Sequence, residues 1–294
     1  MRQTRTPGPT ASTRVTPEKW AAVRTAVSDT TDRFAALLEA TPDPSVPATE
    51  HWSAAETAAH VTGVIWNYTV LATDSTAPLP IPEAREHIRA TTVDNLHTDL
   101  NPVSLRAYPE RDMARLAERL RSSVAEILAR TADAAPDGTI DWLGGSRLPL
   151  AGVLAHMMNE MHIHGRDIAQ GVGAPWQIPD DEAGLFFDLF IVELVRHGTG
   201  ILLDDPGPLR RGRIAVEFRS GHTVPATIVL DTGVVSAEEP SGDADVRIRF
   251  RPAALNLMLF HRTSMMRTAM SGSVVAYGRR PWLLPAFLRK VRMP

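Results

Sequence analysis

The sequence predicts a helical bundle of four helices followed by a small α+β domain, and three observations carry that prediction. From Pro17 to about Val172 the apolar residues recur at helical spacing. After a breaker at Asp204-Asp205-Pro206-Gly207-Pro208 the period drops from about 3.6 to about 2. One Pro-rich stretch, Pro78 to Pro82, opens a link longer than a tight turn requires, as happens where a bundle crosses over. The expected division is a disordered tail over 1–16, a bundle with a linker helix over 17–200, and an α+β domain over 201–294.

The elements follow in order. Pro17 to Ala40 reads as the first helix, with Trp20, Val23, Val27, Phe34, Leu37 and Leu38 on one side. Ser53-Ala-Ala-Glu56 is a capping-box signature, so a second helix starts there and runs to about Thr73. Leu116, Leu120, Val124 and Leu128 place a third over Pro109 to Asp133. Gly144-Gly145 breaks the chain before a fourth, Leu150 to Gln170, which ends at Gly171 and Gly173. A fifth spans Asp180 to His197. Beyond the breaker, Ile214, Val216 and Phe218 alternate with polar neighbours, and so do Val246, Ile248 and Phe250. Strands at Thr223 to Leu230 and Gly233 to Ala237 flank a turn, and helices at Pro252 to His261 and Pro281 to Arg289 complete the domain.

Composition narrows the function. A net charge of -3 provides no basic field for a phosphate backbone, so nucleic acid is not an expected partner. The most apolar candidate span, Gly184 to Val195, is too short for a membrane and is interrupted by Asp188 and Glu193. The first sixteen residues lack the apolar core of a signal peptide, so the expected location is the cytoplasm and the expected state a soluble monomer. There is no cysteine, which excludes disulfides, thiolate metal ligands and a cysteine nucleophile; any sulfur chemistry needs a thiol from outside.

The chemistry concentrates at His156-Met-Met-Asn-Glu160-Met-His162-Ile-His164-Gly-Arg-Asp167. At about 100° per residue, His156, Glu160, His164 and Asp167 fall within roughly 80° of one another, while His162 points away and is expected to face solvent. Burying four ionisable groups together is costly unless they pair or bind something, and a metal resolves that cost. His60 on the second helix shares a face with Glu56, Val64, Asn67 and Leu71. His60, Glu160 and His164 would make three ligands with one position left open, as in a catalytic zinc site. On spacing alone, His60 as a satisfied core histidine and Glu160–His164 as a buried hydrogen-bonded pair both remain open.

Trp52-Ser-Ala-Ala-Glu-Thr-Ala-Ala-His60-Val, with Asn67 further along, resembles the second helix of the mycothiol-dependent maleylpyruvate isomerase family, part of the DinB-like four-helix metalloproteins. Glu160-Met-His-Ile-His164-Gly-Arg-Asp167-Ile-Ala resembles that family's signature on its fourth helix. Met270-Ser-Gly272-Ser-Val-Val-Ala-Tyr-Gly278 resembles, more loosely, the sterol-carrier-like α+β domain often joined to this bundle. The resemblance implies that His60, Glu160 and His164 hold zinc or a similar divalent metal, with Asp167 orienting a ligand imidazole or an Arg. It implies mycothiol as a cofactor, its thiol pKa lowered by the metal, and a small electrophilic substrate that undergoes isomerisation or S-transfer. It also implies a functional Arg from the last domain, with Arg262 and Arg279 as candidates beside Arg267 and Arg280. Many members carry an Arg where this chain has Met157, and His156 could serve as a base, a proton shuttle or a replacement ligand. Asn67 is a candidate for holding the polar part of the thiol. Two rivals stand beside this reading: a thiol-independent biosynthetic enzyme on the same fold, and a lipid- or small-molecule-binding module with a structural metal or none.

Overall fold

The computed structural model describes residues 13–73, 78–79, 84–204, 207 and 211–292. The expected tail lies outside the described residues as far as residue 12, but 13–16 are laid against the fold. Arg14 is buried; its backbone N–H donates to Glu193 Oε1 at 2.6 Å and its guanidinium to the Pro225 carbonyl at 2.9 Å. The segment is held because Glu193, itself fully buried, needs donors.

Helix α1 (Pro17–Ala40) starts where local chemistry says it should. Thr16 Oγ1 accepts the Lys19 N–H, and Pro17 occupies the first turn, where its missing N–H costs nothing. Helix α2 (Ala54–Thr73) is closed by the predicted capping box: the Ser53 N–H donates to Glu56 Oε2 at 2.8 Å and the Glu56 N–H to Ser53 Oγ at 3.3 Å. The long link is not irregular throughout, since it contains helices α3 (Ala84–Ala90) and α4 (Leu100–Ala107). Each is too short to display a period in sequence. The Pro78–Pro82 stretch lies largely outside the described residues. Helix α5 (Met113–Arg130) begins four residues later than expected, because Asp112 takes the Arg115 N–H at 3.0 Å and caps it there.

The Gly144-Gly145 break is a hairpin, β1 (Thr139–Asp141) pairing antiparallel with β2 (Arg147–Pro149). Helix α6 (Leu150–Val172) follows and is buried on nearly every side. Helices α1 and α2 each pack against both α5 and α6, closing a four-helix bundle around Val27, Phe34, Leu38, Ile65, Leu116, Leu120 and Ile127.

The expected helix over Asp180 to His197 is present as α7 (Asp180–Phe186), a π-helical turn (Phe187–Val192) and α8 (Glu193–His197). It packs in two directions. Phe186 and Phe190 stack on each other at 4.9 Å, and Phe190 meets Trp142 at 5.1 Å on the bundle side. Phe187 meets Phe218 at 5.4 Å and Phe250 at 5.0 Å on the other.

Those last two rings belong to a five-stranded sheet: β3 (Arg213–Arg219), β4 (Ala226–Asp231), β5 (Val234–Glu238), β6 (Val246–Phe250) and β7 (Val274–Tyr277). Its order is β5-β4-β3-β6-β7, antiparallel except for the parallel β3–β6 pair. Helices α9 (Pro252–Leu259), α10 (Met265–Met270) and α11 (Leu284–Lys290) complete this part, with Phe287 fully buried beside Phe218. Strand β7 and helix α10 are elements the periodicity does not reveal. The architecture is a helical region followed by an α+β region. Among the described residues no helix is long and apolar enough to cross a membrane.

His162 does not face solvent. It is fully buried, with Nε2 2.7 Å from Glu182 Oε2, because α7 covers the side of α6 that a bare bundle would leave wet. Three residues on, Gly165 leaves room for the Trp176 ring; a Cβ there would overlap it, at 2.4 Å from the nearest ring carbon. Trp176 also donates its indole N–H to the His162 carbonyl at 3.0 Å. Gly165→Ala is therefore expected to destabilise by about 1–3 kcal/mol through overpacking, although alanine is the better helix former. Urea unfolding measures this, and a gain in stability would show that Trp176 moves freely.

Candidate metal centre

Packing of α2 against α6 brings His60 opposite Glu160 and His164. His60 Nε2 and His164 Nε2 lie 3.5 and 3.6 Å from the same oxygen, Glu160 Oε2. One donor atom from each of the three residues lies within 4.8 Å of the others, and among the described residues these three form the group able to hold a metal ion. Glu160 Oε2 and His60 Nδ1 are buried without a hydrogen-bond partner. A tetrahedral ion with ligands at about 2.0–2.1 Å sets its donor atoms about 3.3 Å apart, so separations of this size suit an ion better than direct hydrogen bonds. The residues fit a divalent metal.

The charges point the same way. Burial alone would raise the Glu160 carboxyl, but the surrounding His60, His156 and His164 outweigh it and bring its pKa down to about 2. Burial pushes the His60 imidazole down, against the pull of Glu160. The site therefore presents an ionised carboxylate and a neutral imidazole, the forms that coordinate metals. Trp52, the first residue of the motif that carries His60, covers the pair: its ring centroid lies 4.8 Å from that of His60 and 6.3 Å from that of His164.

His164 is oriented from behind. Its Nδ1 lies 3.2 Å from Asp167 Oδ2. An ionised carboxylate only accepts, so Nδ1 carries the proton and Nε2 keeps its lone pair on the side of His60 and Glu160, the form that a metal would require. Burial would raise the Asp167 carboxyl, but hydrogen bonds from His164 and Arg262 hold it below its ordinary value. Arg262 grips Asp167 as a fork, Nε to Oδ1 at 3.0 Å and Nη2 to Oδ2 at 2.5 Å, while Nη1 donates to the Phe260 carbonyl at 2.8 Å.

The aim of Arg262 is set by how α9 ends. The Arg262 N–H bonds the Leu257 carbonyl and the His261 N–H the Met258 carbonyl, a Schellman pair that requires a left-handed residue between helix and exit. His261 fills that position at φ 58°. A non-glycine residue there costs about 1–2 kcal/mol, and the conformation turns Arg262 back toward α6.

The other candidates are placed less centrally. His156 is buried one turn before Glu160, its Nε2 3.4 Å from Glu160 Oε1. Asn67 is buried and its Oδ1 has no partner among the described residues. Arg279 is exposed and donates to the Asp243 carbonyl, and Arg280 pairs with Asp245; neither joins the cluster. Trp52, Tyr68 and Trp142 surround the histidines and were not singled out by spacing. Only the Trp52 motif offered any signal.

The model of the mycothiol maleylpyruvate isomerase N-terminal domain matches residues 23–169, half of the chain. The chain belongs to this family. The matched stretch of the family domain contains all three residues of the cluster, and its end coincides with the last turns of α6. No curated protein matches the sequence. Two crystal structures, of a mycothiol-dependent maleylpyruvate isomerase and of a histidine-to-alanine mutant of it, are similar with a TM-score of 0.48 and 13% identity, covering 90% of this chain and 95% of theirs. Membership in an isomerase family makes this protein an enzyme of that kind.

Proposed function

We propose that this protein is a metal-dependent isomerase that uses mycothiol to act on a small electrophilic substrate. One observation carries the reading: three buried donors, His60, Glu160 and His164, converge within 4.8 Å in a chain of the mycothiol isomerase family. Two imidazoles and one carboxylate suit zinc and leave a coordination position for a guest, whereas structural zinc sites are usually closed by four protein ligands. When bound, the ion supplies positive charge that lowers the pKa of a thiol brought to it. The chain has no cysteine, so the sulfur comes with the cofactor.

The residues around the donors divide the remaining work. Asp167 keeps the His164 Nε2 free, and Arg262 keeps Asp167 in place. Since all three polar nitrogens of Arg262 are already bonded to protein acceptors, we assign it to positioning rather than to gripping substrate. Trp52 excludes water from one side. Asn67 offers an unsatisfied buried oxygen to a hydroxyl or amide of the thiol. The bundle with its linker helix (17–200) and the α+β part (201–294) work as one unit, because Arg262 and Asn256 of the second bond Asp167 and Asn159 on α6 of the first.

Native mass spectrometry tests the metal. Full-length protein is expected to carry about one divalent ion per chain, and His60→Ala or His164→Ala to lose it. His222→Ala, on an exposed residue paired with Asp181, is expected to keep it. Wild-type protein that takes up no zinc would remove the proposal.

A further inference from the structure

His156 has a surrounding that the three metal ligands lack. Its ring is enclosed by four aromatic rings, with centroid distances of 4.6 Å to Phe190, 5.2 Å to Trp142, 5.7 Å to Tyr68 and 6.4 Å to Phe186. It cannot swing toward a substrate or substitute for a ligand without emptying that box. Inside it, the polar atoms form a line. The Trp142 indole N–H donates to the Tyr68 hydroxyl oxygen at 2.6 Å, Tyr68 Oη lies 3.1 Å from His156 Nδ1, and His156 Nε2 lies 3.4 Å from Glu160 Oε1.

Donor chemistry gives the line a direction. An indole nitrogen only donates, so the Tyr68 oxygen accepts from Trp142 and its own hydrogen is left for another acceptor. Burial pushes the Tyr68 phenol up, so that hydrogen is always present. His156 Nδ1 is the acceptor within reach. The reverse arrangement would bury a phenol hydrogen without a partner and set an imidazole lone pair against a carboxylate oxygen, and both are costly. His156 is therefore the neutral tautomer protonated on Nε2, which turns its N–H dipole toward the Glu160 carboxylate across 3.4 Å, a charge–dipole contact longer than an ordinary hydrogen bond.

We infer that Trp142, Tyr68 and His156 form a positioning relay that fixes one oxygen of Glu160, so that the carboxylate offers the other, Oε2, to the metal as a single-oxygen ligand. The inference rests on the proposed metal site for its purpose. The relay supports Glu160 from the hairpin side, as Asp167 and Arg262 support His164 from the α9 side. His156 is in this account a positioning residue rather than a proton shuttle. Its place one turn before Glu160 follows from the task, since residues four apart on a helix meet.

Nitrogen NMR of the imidazole rings in the full-length protein, before and after zinc addition, tests the relay directly. The His156 signal, identified by its loss in His156→Gln, is expected to show Nε2 protonated and Nδ1 bare in both states. A proton on Nδ1 overturns the inference. Tyr68→Phe removes the hydroxyl with the ring kept, and is expected to change that tautomer signature, weaken zinc binding about 10- to 100-fold and lower kcat more than KM alters. Trp142→Phe leaves the Tyr68 hydroxyl in place and is expected to weaken zinc binding less. If folded Tyr68→Phe keeps both the wild-type tautomer and the wild-type zinc affinity, the relay is wrong. A wild-type protein with the expected tautomer but no zinc uptake would instead overturn the metal reading, so the two failures are told apart.

Discussion

Cobalt-substituted protein is expected to develop a sulfur-to-cobalt charge-transfer band on titration with mycothiol, and metal-free protein to bind the thiol not at all. The reason is electrostatic. A divalent ion held by two neutral imidazoles and the single charge of Glu160 keeps net positive charge, so an anionic sulfur is favoured beside it. A free thiol with a pKa of about 8.5 is mostly protonated at neutral pH, and binding should therefore release a proton. Calorimetry in buffers of different ionisation enthalpy counts that proton. The effect is close to all-or-none because the chain has no cysteine of its own to substitute. Cobalt-loaded protein that turns over substrate without any sulfur band would leave a thiol-independent enzyme as the better account.

Arg262→Ala is expected to cost about 2–4 kcal/mol of stability and to weaken metal binding about 10- to 100-fold. Removing the fork leaves Asp167 buried without its cationic partner, and breaking such a pair typically costs about 3–5 kcal/mol. Because Arg262 is a quarter exposed, solvent screening lowers that figure. The effect on the metal passes through Asp167 to His164 Nδ1 and separates positioning from mere packing. Arg262→Lys should recover little, since an ammonium cannot bond both oxygens of a carboxylate as a fork. Urea unfolding and competitive zinc titration on the same samples measure the two numbers. Full stability with full zinc affinity in Arg262→Ala would mean that Asp167 needs no partner.

What the sequence makes legible here is what depends on near neighbours. The starts of α1 and α2 fall where expected, because Thr16-Pro17 and Ser53–Glu56 are caps that act over three or four residues. Glu160, His164 and Asp167 share a face for the same local reason. His60 needed the family resemblance, since nothing in its own helix says which helix it will meet. The misreading of His162 has a clear origin. The wheel separates two faces of α6, but α7 and Glu182, some twenty residues on, decide that both are buried. Tyr68 and Trp142 were invisible because their roles depend on contacts 74 and 88 residues apart in the chain. Helices α3 and α4 and strand β7 are too short for a period to rise above their flanking residues.

The π-helical turn at Phe187–Val192 sets a phase relation between the two halves of the molecule. An α-helix advances by about 100° per residue, and a π-turn absorbs one extra residue, so side chains beyond it are rotated by about that angle from where an unbroken α-helix would put them. Upstream, Asp180 is timed to receive Arg251 and the Ala253 N–H from the α+β part. Downstream, Glu193 is timed to receive Arg14. Between them, Phe190 lies over the His156 ring while Phe187 keys into Phe218 and Phe250. A chain one residue shorter at this turn could keep one of these appointments but not the other. The single added residue acts as a gear offset, letting one rod mesh with a helical bundle on one flank and a twisted sheet on the other.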